Sequence, residues 1–386
     1  DLGLLGVGTF TNIETLWSSN AHAAQLSKKK FIFESNTISE FAPPAMPKLS
    51  SLKARLHWNE NPFGPSPLAV DSFVNYAKDA NYYSWDILKD FIGKVAEKEH
   101  VEKNQILTGP GSSDLLEKTA IALFEGEKGN IVTADPCYMS LVNVASTLGA
   151  SWKSVKLNDE FEHDLEGMRA AIDSETKLVY ITNPNNPTAT VTNAKLLLDF
   201  CAEVSEKVPV FIDEAYLELT DAGLSNSMAQ LVSQGKDIIV TRTFSKIHGM
   251  AGMRLGYMLA LPQRISQINK ITRGGMGISG PTIHAAMASL DDTDFLKSCK
   301  MKIAANRDFT IKNLISRGFE PLPTSTNFLI FELAHKIDPN KFLSEIYSKK
   351  VTVKVFNFWE KNWCRVSIGT RESMEIFFEA FDEILA

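Results

Sequence analysis

Short apolar runs alternating with helical stretches constrain this chain more than any other feature. "QILTG", "GNIVTADP", "KLVYITNP", "VPVFIDEAYLEL", "DIIVTRTFS" and "LGYMLAL" are rich in β-branched residues and end in polar, Gly or Pro residues. "PGSSDLLEKTAIALF" and "NAKLLLDFCAEVSE" lie between them with helical spacing. Continuous apolar strands separated by crossover helices predict a mostly parallel sheet covered by helices on both faces. Such sheets bind their ligands at the carboxyl ends of the strands, so the polar residues there are the functional candidates.

The 386 residues are enough for a large domain and a smaller one, with a core that needs no disulfide or metal staple. The organisation reads as an N-terminal arm and linker over 1–56, a large domain over 57–290 and a small C-terminal domain over 291–386. In the last of these, a long helix ("DFLKSCKMKIAANRDFTIKNLISRG") precedes the strands "NFLIFEL", "VTVKVF" and "WCRVSIG" and a closing helix. The net charge of −6 argues against nucleic acid or an anionic membrane as the main partner. Cys137, Cys201, Cys299 and Cys364 are scattered without a CxxC pair, which speaks against a zinc site and a disulfide framework. The apolar start "LGLLGVGTF" is too short to span a bilayer, and "AHAAQ" after it has the small-residue pattern of a signal-peptidase site. Two readings stay open, the remnant of an export signal and an arm packing on the body or on a partner subunit. Cytoplasmic residence is the simpler expectation and periplasmic export the alternative.

Several strand ends carry chemistry. "GPGSS" opens a helix, where Ser112 and Ser113 offer donors at its positive terminus. Thr243, Ser245 and Arg254, in "TRTFSKIHGMAGMRLGY", could hold a phosphate, and arginine does so bidentately. Lys246 lies between these two anion-binding elements, and "DEAY" puts the carboxylate of Asp213 and the phenol of Tyr216 at another strand end. A lysine beside a phosphate site, an acid and a phenol fits a Schiff base to pyridoxal 5'-phosphate. Asn186, in "NPNNPT", adds a donor for the cofactor's phenolic oxygen.

From about residue 50 onward the chain resembles the class I/II, fold-type I, pyridoxal-phosphate aminotransferases, and among them the histidinol-phosphate aminotransferase-like group. "NENPFGP", "GPGSSDLL", "NPNNPT", "DEAYLEL", "TFSKIHGMAGMRLGY" and "CRVSIGTRES" carry the resemblance, in the family's order. It implies a large, mostly parallel seven-stranded-type sheet domain with a smaller α+β C-terminal domain, and a homodimer. It makes Lys246 the Schiff-base lysine and proton carrier, and Asp213 the partner of the pyridine nitrogen. Asn186 and Tyr216 become donors to the phenolic oxygen, and Ser112, Ser113, Thr243, Ser245 and Arg254 the phosphate cradle. Tyr138 would stack on the ring, Tyr83 would reach the phosphate of the neighbouring subunit, and Arg365 would pair with the substrate carboxylate. Asn61 and Lys354 are further substrate-binding candidates.

Some residues depart from the family pattern. Ala189 stands where the family usually has glycine, Lys354 where an arginine is common, and Glu332 where a basic residue is common. A carboxylate near the substrate's far end would repel a second phosphate or carboxylate there. The expected reaction is amino transfer between an amino acid, or an amino alcohol phosphate such as histidinol phosphate, and a 2-oxo acid. A decarboxylase or cyclase on the same fold is the alternative, and a non-catalytic binder is a third reading that the intact cofactor residues oppose. No metal, nucleic acid or membrane partner is expected.

Overall fold

The computed structural model describes residues 38–271, 274–334 and 337–386. The possible signal-peptidase site lies outside these residues. Along the chain the strands are β1 (Ser39–Glu40), β2 (Ala54–Arg55), β3 (Ile106–Gly109), β4 (Asn130–Asp135), β5 (Ser151–Lys156), β6 (Thr176–Thr182) and β7 (Val210–Asp213). There follow β8 (Ile238–Thr243), β9 (Gly256–Leu259), β10 (Phe328–Glu332), β11 (Val351–Thr352), β12 (Lys354–Phe358) and β13 (Lys361–Ser367).

β3 to β9 form a 7-stranded sheet in the order β3-β9-β8-β7-β6-β4-β5. All its pairings are parallel except those of β9, which runs antiparallel to β3 and β8. The apolar runs look continuous in sequence, yet the pleat sorts them onto two faces. Val179, Val210, Ile212, Ile238 and Val240 pack on one side with Phe91, Leu197 and Phe200. Leu178, Tyr180, Phe211, Ile239 and Met258 pack on the other with Leu115, Leu116 and Leu141. Each face is a buried hydrophobic core worth about 25 cal/mol for every Å² of apolar surface withdrawn from water.

The same alternation aims the polar strand ends. Asp213, Thr241 and Thr243 share the odd-numbered register of Phe211 and Ile239 and so look toward the Leu115 side. Arg242 and Glu214, of even register, go to the opposite side. There Arg242, 1% exposed, lies 3.0 Å from Glu214 and 3.3 Å from Glu99 and donates to Ser227 at 2.7 Å. Tyr257 donates to the same Glu99 at 2.6 Å.

The second sheet is 4-stranded and antiparallel, in the order β1-β12-β13-β10. Its helices, Thr293–Ser316, Pro339–Ser348 and Arg371–Leu385, bury an aromatic-rich core that includes Phe331, Phe342, Phe377 and Phe381. The arm residues, expected as an extended linker, contribute pairing partners: β1 adds an edge to β12, and β2 pairs in parallel with β11. Their short, proline-flanked sequences gave no strand signal, since the partners supply the ladder some 300 residues later.

Candidate active site

The site forms where β6, β7 and β8 end, closed over by the segment His57–Asn61 and by β13. Lys246 follows β8. Its Nζ donates to the carbonyls of Trp58 at 3.3 Å and Asn59 at 3.2 Å and lies 5.1 Å from the centre of the Tyr216 ring. Tyr216 sits in the turn after β7, where its hydroxyl accepts from Asn59 Nδ2 at 3.1 Å. Asn59 is held in turn by Ser367, which takes its backbone N–H at 2.7 Å and donates to its Oδ1 at 3.0 Å.

Asp213 closes β7. Its Oδ1 accepts from the Ala215 N–H at 3.1 Å and the Thr241 hydroxyl at 3.2 Å. Burial penalises the charged carboxylate and lifts its pKa from the ordinary 3.8 to about 6, against these two hydrogen bonds and the charge of Lys246. A buried carboxylate without an adjacent cation is costly, so this one suits a ligand that brings a protonated nitrogen. Tyr138, between β4 and the helix Ser140–Thr147, hydrogen-bonds Ser113 and feels the charge of Asp213, and burial raises its hydroxyl pKa.

The expected phosphate residues converge. The helix Ser112–Phe124 starts after Gly111, whose φ of +93° only glycine adopts easily. A Cβ on Gly111 would stand 2.3 Å from an Arg254 guanidinium nitrogen, and one on Gly256 would stand 2.5 Å from the Ser112 N–H. Arg254 donates to Ser245 at 3.3 Å and to the carbonyls of Ala251 at 3.0 Å and Pro110 at 3.3 Å. Thr243 donates to Ser245 Oγ at 3.0 Å and accepts the Ser245 N–H at 3.1 Å. A helix N-terminus, the four hydroxyl side chains of Ser112, Ser113, Thr243 and Ser245 and a guanidinium around glycines suit a phosphate dianion.

The "NPNNPT" turn divides its work. Asn185 donates to Thr188 at 2.8 Å and to the Pro136 carbonyl at 3.1 Å, so it pins the loop. Asn186 instead faces the site, where its Oδ1 accepts from Arg365 at 2.7 Å. Arg365, 6% exposed on β13, also donates to the His57 carbonyl at 2.8 Å, while its buried Nε has no hydrogen-bond partner among the described residues. The turn keeps a left-handed residue where the sequence has no glycine: Ala189 has φ +64° and is fully buried.

Three expected residues stand apart. Asn61 donates to the Ile247 carbonyl at 2.8 Å and accepts the Phe63 N–H at 3.0 Å, so both ends of its amide hold backbone. Tyr83 is 86% exposed in a single protomer and packs only against Trp85 among aromatic neighbours. Glu332 pairs with Lys361 at 2.6 Å on the rim of the small sheet. Asn59, equally visible in "NENP", was the residue missed; nothing in the sequence separates it from Asn61.

Among the described residues, no group of three or more His, Cys, Asp or Glu could hold a metal ion, and no helix is long and apolar enough to cross a membrane. The chain is 32% identical over 352 residues to histidinol-phosphate aminotransferase 2 of Methylococcus capsulatus, covering 90% of this chain and 92% of that one. It is 33% identical to histidinol-phosphate aminotransferase 1 of Nitrosococcus oceani, covering 86% and 88%. The solved histidinol-phosphate aminotransferase of Sinorhizobium meliloti, in complex with pyridoxal-5'-phosphate, matches with a TM-score of 0.77 and 26% identity over 86% of this chain and 91% of that one. The model of aminotransferase class I and II matches residues 53–381, and the chain belongs to that family.

Proposed function

We propose that this chain is a homodimeric aminotransferase in which Lys246 carries the cofactor and Arg365 receives the α-carboxylate of the amino donor. Family membership sets the reaction class, amino transfer between an amino acid and a 2-oxo acid, and the cofactor, pyridoxal 5'-phosphate. When bound, that cofactor supplies an electron sink for the negative charge left on Cα as its proton departs. One observation carries the assignment of residues: the Lys246 amine lies over the Tyr216 ring and close enough to the Asp213 carboxylate for its charge to act there, so amine, phenol and acid are neighbours.

The roles follow from chemistry. Asp213 would keep the cofactor's ring nitrogen protonated, an ion pair that offsets the carboxylate's own burial. Asn186 and Tyr216 would donate to the phenolic oxygen, and Tyr138 would cover the ring. Ser112, Ser113, Thr243, Ser245 and Arg254 would hold the phosphate. Lys246, released from the carbonyls of Trp58 and Asn59, would take the Cα proton and carry it to the cofactor's C4′, two atoms away. Arg365, with a spare Nε, and Lys354 beside it would orient the donor. Amino transfer is favoured over decarboxylation because the relatives matched above 30% identity are aminotransferases.

The helix Pro67–Ala77 and the loop after it leave Leu68, Val74, Tyr82 and Tyr83 exposed, the apolar surface expected of a partner interface. This supports a dimer in which Tyr83 of the partner subunit approaches the phosphate. Cytoplasmic residence is part of the same proposal, since the cofactor is then acquired where the chain folds.

Lys246→Ala tests the reading. The variant should lose the near-ultraviolet to visible band of lysine-bound cofactor and lose turnover by about a thousandfold or more. A wild-type protein that shows no such band, and gains none with added pyridoxal phosphate, would overturn it.

A further inference from the structure

The small sheet presents two cations side by side. Lys354 on β12 is the register partner of Arg365 on β13, so both side chains leave the same face, with Cβ atoms about 5 Å apart. The arm adds a third charge. Glu40 on β1 is paired with Phe356, two residues from Lys354, and therefore projects to that face as well. Its carboxylate oxygens lie 2.7 and 2.9 Å from Lys354 Nζ, and both side chains are about four-fifths buried, with 20% and 19% exposed. The same face carries Phe356, Phe358, Trp363 and Ile330, with Phe161 stacked on Trp359 at 4.9 Å, and farther out the paired charges of Lys361 and Glu332. His57 is held neutral, its pKa lowered to about 3 by burial and then by the charges of Arg55, Lys354 and Arg365.

We infer that Glu40 sets the side-chain preference of the enzyme: by occupying Lys354 it withdraws that ammonium from a substrate held at Arg365, so donors with uncharged side chains are favoured over donors whose side chains end in a carboxylate or phosphate. The inference rests on Arg365 as the α-carboxylate site. One α-carboxylate matches the single positive charge left over when Arg365, Lys354 and Glu40 are summed. A second anion on the substrate must take Lys354 from Glu40, and it leaves a largely buried carboxylate without its ammonium. Burial by itself lowers the Lys354 pKa and the Glu40 carboxylate opposes that shift, so Glu40 supports the Lys354 charge. The carboxylate that excludes a second anion is thus Glu40 of the arm rather than Glu332, whose charge is already met by Lys361.

Two unreactive acids probe this on the loaded enzyme by calorimetry: glutarate, with a second carboxylate, and 3-phenylpropanoate, with a neutral ring. Glu40→Gln should tighten glutarate relative to 3-phenylpropanoate by about tenfold or more, the range of a charge-assisted hydrogen bond. The ratio of kcat/KM for L-glutamate to that for L-phenylalanine should move the same way. Adding Lys354→Met to Glu40→Gln should cancel the gain. An unchanged binding ratio in a Glu40→Gln protein that retains its cofactor band overturns the inference, as does a gain that survives without Lys354. The parent reading fails separately: Arg365→Met binding both acids as tightly as wild type would place the α-carboxylate elsewhere and remove the inference with it.

Discussion

Replacing Asp213 by asparagine separates what this residue costs the empty protein from what it gives the loaded one. In the fold its pKa stands at about 6 against an ordinary 3.8. As pH rises through that window, the unfolded chain loses its proton first, so the folded state binds more protons and stability falls. Below the window the residue costs nothing. Above it the cost is about 3 kcal/mol, from roughly two pKa units at 1.36 kcal/mol each. Asparagine removes the ionisation but keeps an acceptor for Ala215 and Thr241. Its new N–H₂ carries a penalty of its own, and that penalty does not depend on pH. The stabilisation of the cofactor-free variant over cofactor-free wild type should therefore shrink by about 2 kcal/mol between pH 8 and pH 4.5, or about 3 °C in Tm for a chain of this length. In the loaded enzyme the order reverses, because the acid that keeps the ring nitrogen protonated is gone, and kcat should fall by about a hundredfold or more. Parallel melting of the two cofactor-free proteins at several pH values, with steady-state kinetics of the loaded forms, measures both effects. A difference in Tm that does not change with pH would refute the burial argument, and a kcat within tenfold of wild type would refute the ring-nitrogen role.

Two further substitutions test local backbone. Ala189→Gly relieves a left-handed alanine, worth about 1–2 kcal/mol, and gives up one buried methyl, worth about 0.8 kcal/mol. The balance predicts a small rise in Tm by thermal melting, and a fall would show that the methyl's packing dominates. Gly111→Ala strains a backbone that only glycine adopts easily and puts a Cβ against the end of Arg254, so the turn before the helix and the guanidinium should both shift out of the cradle. Titration of the cofactor-free variant with pyridoxal phosphate should show affinity weakened at least about tenfold, and unchanged affinity would remove Arg254 from the phosphate site.

The large sheet was legible because its strands are continuous apolar runs bounded by turn residues, a pattern set by burial on both faces. The cofactor residues were legible for a related reason: a parallel sheet gathers its strand ends, so motifs far apart in sequence must meet. The parts that were not legible depend on single long-range pairings. Glu40 reads as an ordinary charge in an arm, and only β12 gives it Lys354, 314 residues away. Glu99 reads as the exposed end of an amphipathic helix, yet it is buried against Arg242. Asn59 and Asn61 are both polar and two apart, and only the fold shows that the Asn61 amide holds backbone while the Asn59 amide reaches Tyr216.

The segment His57–Asn61 has a consequence for how the protein is made. The carbonyls that hold the Lys246 amine belong to Trp58 and Asn59, and their segment is anchored through Ser367 on Asn59 and Arg365 on His57, each 308 positions downstream. Loop closure over such separations comes late in folding, so a growing chain can complete its seven-stranded sheet well before Lys246 has a settled bed. A nascent chain cut short before β13 would carry the residues proposed to hold phosphate and lack the clasp over Lys246.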